Sequence, residues 1–191
     1  MHTPSLAVYV QAIERDDWRA VGELMLASAR KLAGAGADFL ICPDNTIHQA
    51  MAYVAPRSPL PWLHIAEVAA AAAAARGFRR VGITGTKWLV DSDVYPEKLE
   101  ACGLEAVRPP PAEREACNRI IMDELVNGVL DASSTRYFQE VIARLKDQGC
   151  DAVVLGCTEI PLLIDDRNSP LPTLDSTRLL ARAALQRAVE G

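Results

Sequence analysis

The sequence predicts an α/β protein with a mainly parallel sheet, built as two doubly wound lobes with a cleft between them. Short apolar runs rich in β-branched residues alternate along the chain with segments of helical period. Two of these runs, in 36–46 and 149–161, each follow a Gly-x-Asp turn and each end in a small polar cluster. Parallel sheets bind ligands at the carboxyl ends of their strands, so we expect the two clusters to face each other across the cleft.

Period and helix-ending residues give the order of elements. Gly34 ends one predicted helix and Gly77 ends another, which is rich in alanine. The predicted elements are a strand at 6–10, a helix at 18–33, a strand at 39–42, a short helix beginning within 43–48, a proline-rich connector at 56–61, a helix at 62–76, a strand at 80–84, a helix at 95–102, a strand at 104–107, helices at 113–129 and 136–148, the strand that leads into Cys157, a loop at 161–172 and a helix at 176–189. We assign residues 1–76 with 173–191 to the first lobe and 77–172 to the second.

Composition restricts the class of protein. Half of the 191 residues are hydrophobic, as in a globular domain, and the net charge of −5 argues against binding to nucleic acid. The longest apolar run is shorter than the roughly 18 residues that span a membrane, and the N-terminus has no signal-peptide pattern. We therefore expect a cytoplasmic protein with no nucleic-acid or membrane partner.

The chain has five cysteines at irregular spacing. The absence of a CxxC pair argues against a zinc site or a redox pair. Cys42, Cys102, Cys117 and Cys150 are expected to be small buried hydrophobic side chains. Cys157 differs because it ends a strand between Gly156 and a polar cluster.

Superposing the two polar clusters places Asp44 opposite Cys157 and Asn45 opposite Thr158. A thiolate is a good base, and backbone N–H groups at a strand end can favour it. A carboxylate can serve as a base if burial raises its pKa. Cys157 and Asp44 each also have a more common role. A thiol at a strand end usually packs in the core, and an Asp before Asn-Thr usually closes a turn.

Other polar residues near the strand ends are weaker candidates. Thr46, Thr86 and Thr158, like Asn45, could hold a substrate carboxylate or simply close turns. His48 could be a third acid or base, whereas His64 is expected to be structural. The Asp165-Asp166 pair has no clustered His or Cys beside it, so we expect a solvated loop and no metal site.

At these residues the chain resembles the aspartate/glutamate racemase family. The motifs that carry the resemblance cover most of the chain; they are GAD at 36–38 with NTIH at 45–48, LHIA at 63–66, VGITGT at 81–86, DEL at 123–125, GCTEIPLL at 156–163 and DST at 175–177. The GCTE sequence is the most specific, and it is more similar to the amino-acid racemase branch than to glutamate racemase, which has His after Cys-Thr.

The resemblance implies racemisation without a cofactor. In that family two cysteines lie on either side of the α-carbon, and one removes the α-proton while the other supplies a proton to the opposite face. Asn45, Thr46, Thr86 and Thr158 match family positions that bind the substrate carboxylate, and Cys157 matches one catalytic cysteine. The resemblance also implies a small amino-acid or carboxylic-acid substrate, such as aspartate or glutamate, and a homodimer.

The chain departs from the family pattern in three places. Asp44 occupies the position of the usual first cysteine, and Cys42 would point to the other face of its strand. The family's first strand, Gly-Gly loop and first helix have no counterpart before residues 6–10, which resemble its second strand. We therefore expect a first lobe without its N-terminal strand and helix. Leu180 and Leu89 replace a family His and Thr.

Three functions remain open at this point. The first is a racemase or epimerase that uses Asp44 and Cys157. The second is an isomerase or decarboxylase that uses Cys157 alone. The third is a non-catalytic protein that binds a small acid.

Overall fold

The computed structural model describes residues 1–190 and has an α/β architecture with two parallel sheets. Its strands are β1 (Leu40–Ile41), β2 (Trp62–Leu63), β3 (Arg80–Gly85), β4 (Glu105–Val107), β5 (Ala152–Gly156) and β6 (Thr173–Asp175). Its α-helices are α1 (Leu6–Ile13), α2 (Trp18–Gly34), α3 (Met51–Val54), α4 (Ile65–Ala75), α5 (Lys87–Asp91), α6 (Val94–Ala101), α7 (Pro111–Arg119), α8 (Ala132–Asp147) and α9 (Ser176–Glu190). Short 3₁₀ segments and one π-helical turn connect several of them.

The larger sheet has four parallel strands in the order β4-β3-β5-β6. Its side chains alternate between two hydrophobic layers, as successive residues of a strand must. Val81 and Ile83 of β3 pack with α4 and α6 on one face, whereas Val153 and Leu155 of β5 pack with α7 and α8 on the other. The sheet is therefore covered on both faces, which explains why its central strands β3 and β5 are largely apolar.

Helix α4 lies close to this sheet because its buried side chains are almost all alanine. Ala66, Ala69, Ala70 and Ala73 have no exposed surface. The helix begins after His64, whose Nδ1 accepts a hydrogen bond of 3.3 Å from the Ala66 N–H. A side-chain acceptor at this position satisfies one of the free N–H groups of the first turn.

The smaller sheet pairs β1 with β2 in parallel, with Leu40 beside Trp62 and Ile41 beside Leu63. A separate hydrophobic cluster joins α1, α2 and residues 47–54 next to this sheet. The first part of the chain thus has its own core, and β1 brings the Asp44 loop toward the ends of the larger sheet.

The strand predicted at 6–10 is wrong, because residues 6–13 form helix α1. The buried side chains of α1 are Tyr9, Ala12 and Ile13, which are separated by three and one residues and so lie on one helical face. Leu6 and Val8 are exposed. The apolar run favoured a strand, but packing of one helical face against α2 outweighs that local preference.

Two predicted helices have different limits in the structure. The helix predicted at 62–76 begins only at Ile65, since Trp62 and Leu63 pair with β1. The helix predicted at 113–129 ends as α7 at Arg119 and continues as a π-helical turn, Ile120–Glu124, and a 3₁₀ turn, Leu125–Asn127. A π-helical turn shifts the side chains that follow it and is often found near functional sites.

Strand β6 and helix α5 were not predicted. Each is short, with three and five residues, and the sequence signal of such elements is weak. Strand β6 pairs with β5 in the larger sheet, although residues 173–191 were assigned to the first lobe. The division of the chain into lobes stays a prediction.

Residues 1–190 contain neither a candidate membrane-spanning helix nor a candidate metal cluster. In this range no helix has both the length and the apolar character to cross a membrane. The same residues contain no group of three or more His, Cys, Asp or Glu side chains that could hold a metal ion. The Asp165 carboxylate instead pairs with Arg167, and that of Asp166 accepts hydrogen bonds from Thr173.

Candidate active site

A small cavity of about 100 Å³ lies where β1, β3 and β5 end. All six site residues predicted from the sequence line it, and they come from three separate segments of the chain: Asp44, Asn45, Thr46, Thr86, Cys157 and Thr158. The structure therefore brings together the two polar clusters that the sequence predicts at opposed strand ends. Their assignment as catalytic and substrate-binding residues stays a prediction.

Paired glycines let the backbone at the ends of β3 and β5 come close together. Gly85 lies beside Gly156 in the register of the sheet. A Cβ atom at residue 156 would lie 2.5 Å from the Thr84 carbonyl oxygen and 2.6 Å from Leu89 Cδ2. A side chain here would push β5 away from β3 and displace Cys157, so the position requires glycine.

The Asp44 carboxyl group lies at the start of a 3₁₀ turn. Its Oδ1 accepts a hydrogen bond of 3.3 Å from the Ile47 N–H. Burial raises the pKa of Asp44 above its usual value, the N–H groups of Ile47 and Thr46 oppose the rise, and the nearby Glu159 adds to it. A carboxylate with a raised pKa is a stronger base than an exposed one, which suits proton removal.

His48 fixes the loop that carries Asp44. Its Nε2 accepts a hydrogen bond of 3.4 Å from the Ile65 N–H, so Nδ1 carries the proton and donates it to the Asp44 carbonyl at 2.7 Å. Burial, with the adjacent His64, lowers the pKa of His48 to about 3. His48 is thus a neutral structural residue, and the possibility that it is a third acid or base is not supported.

The Cys157 thiol donates a hydrogen bond to Glu159 Oε2 at 2.8 Å. Burial raises the pKa of Cys157, and the negative charge of Glu159 raises it further. The sequence suggested surroundings that favour the thiolate, but the structure surrounds this thiol with acidic groups. Cys157 is therefore a protonated acid in the free protein, and Glu159 can receive its proton.

The side chain of Asn45 connects the Asp44 loop to the second half of the molecule. Its Oδ1 accepts a hydrogen bond of 2.6 Å from the Tyr95 hydroxyl, and its Nδ2 donates one of 3.1 Å to Ser176 Oγ. Ser176 in turn donates to the Leu155 carbonyl at 2.8 Å. An amide NH₂ has two hydrogens, so one Nδ2 hydrogen remains for a ligand in the cavity.

Two threonine hydroxyls form a pair on the same wall. Thr46 Oγ1 and Thr86 Oγ1 are 2.9 Å apart, and Thr86 Oγ1 also accepts from the Leu89 N–H at 3.3 Å. One hydroxyl hydrogen joins the pair, which leaves the other free to donate to a bound anion. Thr158 is exposed at the rim of the cavity.

The remaining cysteines lie outside the lining of this cavity. Cys42 is half-buried and packs against the hydrophobic cluster of α1, α2 and residues 47–54, and burial, with the charge of Asp44, raises its pKa to about 12. Cys117 and Cys150 are buried as predicted, but Cys102 is exposed at the end of α6, so its predicted burial is wrong.

Sequence reasoning missed Glu159 as a site residue. It lines the cavity and bonds to Cys157, whereas the sequence analysis treated it only as part of the motif. The signal was present, because a carboxylate two residues after a strand-end thiol can turn back toward it.

Comparison with known proteins identifies the family. The family model for the Asp/Glu/hydantoin racemases matches residues 1–184. A candidate Asp/Glu racemase from Yersinia pestis superposes with a TM-score of 0.88 and 31% identity, over 98% of this chain and 82% of that chain. An aspartate racemase homologue from Pyrococcus horikoshii superposes with a TM-score of 0.79 and 30% identity, over 91% of this chain and 76% of that chain.

Curated relatives match at lower identity. A glutamate racemase from Koribacter versatilis is 29% identical over 75% of this chain, and the chain spans about half (49%) of that protein's length. A broad specificity amino-acid racemase from Bacillus subtilis is 22% identical over 91% of this chain and 73% of its own. On the match over 1–184 and the shared two-lobe fold, the chain belongs to the Asp/Glu/hydantoin racemase family.

Proposed function

We propose that the chain catalyses inversion at the α-carbon of an amino acid without a cofactor, and that Asp44 and Cys157 are its two acid–base groups. At this level the substrate class is a small amino acid, with aspartate and glutamate as the candidates that the resemblance implies. The observation that carries the proposal is the presence of both groups, from different sheets, in the wall of one cavity.

The protonation states of Asp44 and Cys157 suit inversion in one direction, with Asp44 as the base and the Cys157 thiol as the acid. Asp44 takes the α-proton, and the electron pair of the C–H bond stays on the substrate as an enolate-like carbanion. The Cys157 thiol then gives its proton to the opposite face of the α-carbon. This step leaves a protonated Asp44 and a Cys157 thiolate, and the reverse reaction starts from that state.

The carbanion is the costly state, because the α-proton is a weak acid. Donors fixed before the reaction stabilise the charge that develops on the substrate carboxylate. Asn45 Nδ2 and the free hydroxyl hydrogen of the Thr46–Thr86 pair supply such donors, and both are fixed by their other hydrogen bonds. Thr158 supplies a further hydroxyl at the rim.

Deuterium exchange tests the proposal. The purified protein is incubated in D₂O with each enantiomer of the common amino acids, and NMR follows loss of the α-proton while chiral chromatography follows inversion. We expect deuterium in both enantiomers of at least one amino acid. Absence of exchange with every amino acid would contradict the proposal, and a ligand-induced rise in Tm without exchange would indicate a binding protein.

A reaction with Cys157 alone is the second candidate, because Asp44 also has a structural contact with Ile47. Asp44→Asn keeps an acceptor for the Ile47 N–H but cannot act as a base. Two-base chemistry predicts loss of about 100-fold or more in exchange by this variant. Full activity of Asp44→Asn, with loss in Cys157→Ala, would support the one-thiol reaction.

The homodimer implied by the resemblance stays a prediction, which light scattering of the purified protein tests.

A further inference from the structure

The wall of the cavity opposite the strand ends is apolar. It is formed by α1, by α5 and by the π-helical and 3₁₀ turns after α7. Its residues are Val10, Ile13, Trp88, Ile121, Met122 and Val126. A substrate held at the strand ends by its α-carboxylate would extend its side chain toward this wall.

The charged residues of the cavity are all acidic within the described residues 1–190. Asp44 and Glu159 line it, and no Lys or Arg of that range does. Lys87 lies next to the apolar wall, but its Nζ bonds to Glu115 at 3.1 Å and lies over the Trp88 ring at 5.6 Å from the centroid. A second carboxylate on the substrate would therefore lie against apolar side chains, in a cavity whose charged lining residues within 1–190 are both acidic.

We infer that the substrate is an amino acid with an uncharged, apolar side chain. The inference rests on the proposed racemase function and specifies its substrate class. In this arrangement the acidic groups attract the α-ammonium, the Asn45 and threonine donors hold the α-carboxylate, and the apolar wall takes the side chain. Rejection of acidic side chains follows because like charges brought together in a partly dry site repel each other.

The exchange reaction measures this preference directly. The kcat/KM for α-deuteration is compared among L-alanine, L-valine, L-leucine and L-methionine on one side and L-aspartate and L-glutamate on the other. We expect the kcat/KM of the best apolar substrate to exceed that of aspartate and that of glutamate by about 100-fold. Equal or faster exchange of aspartate or glutamate would overturn the inference.

A charge placed in the apolar wall sharpens the test. Val126 lines the cavity and is 38% exposed, so Val126→Lys is expected to fold and to improve kcat/KM for acidic amino acids relative to apolar ones. Val129→Lys is the matched control, because Val129 is 50% exposed and does not line the cavity. The same shift in both variants would contradict a role of the wall in specificity.

Binding separates failure of this inference from failure of the proposed function. If no amino acid exchanges, the racemase proposal is wrong, and calorimetric titration with the same six amino acids still decides the substrate class. Tighter binding of the apolar set supports the cavity assignment, whereas tighter binding of aspartate or glutamate, or no binding of the apolar set, overturns it.

Discussion

The two strand ends that form the candidate site hold their acid–base groups in different ways. Cys157 follows a five-residue strand in the middle of the four-stranded sheet, so a hydrophobic core on both faces fixes its backbone. Asp44 follows a strand of two residues, and side-chain hydrogen bonds from His48 and Asn45 fix its loop instead. A sheet withstands the loss of one contact better than a loop held by a few polar bonds.

The two strand ends also differ in the protonation of their acid–base groups. Burial raises the pKa of both groups, but only the Cys157 thiol has a neighbouring carboxylate, Glu159, as its hydrogen-bond acceptor. This asymmetry gives one group ready to accept a proton and one ready to donate. Variants at the two ends should therefore fail in different ways, and the predictions that follow exploit that difference.

Removal of the thiol should have the largest effect. Cys157→Ala takes away the group that reprotonates the α-carbon, and we expect inversion to fall by about 1,000-fold, within the usual range for a lost acid–base group. Cys102→Ala is the matched control, because Cys102 is an exposed free thiol outside the cavity lining. Chiral chromatography measures both, and inversion by Cys157→Ala at the wild-type rate would exclude a role for this thiol.

Addition of a methyl group at the paired glycines should disrupt the Cys157 end through packing. Gly156→Ala would place Cβ 2.5 Å from the Thr84 carbonyl oxygen, and we expect a loss of about 3 kcal/mol in the free energy of unfolding. Gly34→Ala is the control, since a Cβ there has nothing within 4 Å and should be neutral or stabilising. Urea denaturation measures both, and equal stability of the two variants would show that β5 can move.

The sequence predicted β3 and β5, the central strands of the larger sheet, well because both are buried on both faces and are largely apolar. It predicted the meeting of Asp44 and Cys157 because each follows a strand whose carboxyl end must lie at the ligand-binding edge. Residues 6–13 show where such reasoning fails. The same apolar residues suit a strand or a helix, and only the packing of Tyr9, Ala12 and Ile13 on α2 selects the helix.

Long-range polar contacts were also beyond the reach of the sequence. Asn45 joins residues 50 and 131 positions away through Tyr95 and Ser176, and no local pattern indicates such partners. The sequence showed Glu159 only as one residue of the GCTE motif. Its effect on the Cys157 thiol depends on the orientation of its side chain, which the sequence does not give.

The Asp44 end should be the more sensitive to acid, through His48. The pKa of His48 in the folded state, about 3, lies below the ordinary value of 6.5. As the pH falls, His48 therefore binds a proton in the unfolded chain before it does so in the folded protein. The stability that neutral His48 supports is complete above pH 6.5 and is lost as the pH falls toward 3. We expect a loss of about 2 kcal/mol between pH 7 and 5.

Denaturation of wild-type protein and His48→Gln as a function of pH tests this expectation. The variant lacks the titrating group, so its stability should change less between pH 7 and 5, although His64, with a pKa lowered by burial to about 4, retains part of the slope. His2→Gln is the control, at a half-buried residue that bonds to Ser28 and Lys31 on another part of the surface. An unchanged slope in His48→Gln would show that His48 does not titrate as its burial predicts.

Loss of the Glu159 charge should have the smallest effect and the most specific signature. Glu159→Gln keeps an oxygen acceptor for the thiol but removes the negative charge that raises the pKa of Cys157, so the thiolate forms at lower pH. In the direction that uses Cys157 as the base, we expect about a tenfold loss in kcat because a thiolate of lower pKa is a weaker base. The alkaline limb of the pH profile should also move to lower pH. Glu140→Gln, at an exposed carboxylate on α8, is the control and should leave both kcat and the alkaline limb unchanged. An equal loss of kcat in the two directions of Glu159→Gln, without a shift of the alkaline limb, would mean that Glu159 only supports the fold of its loop.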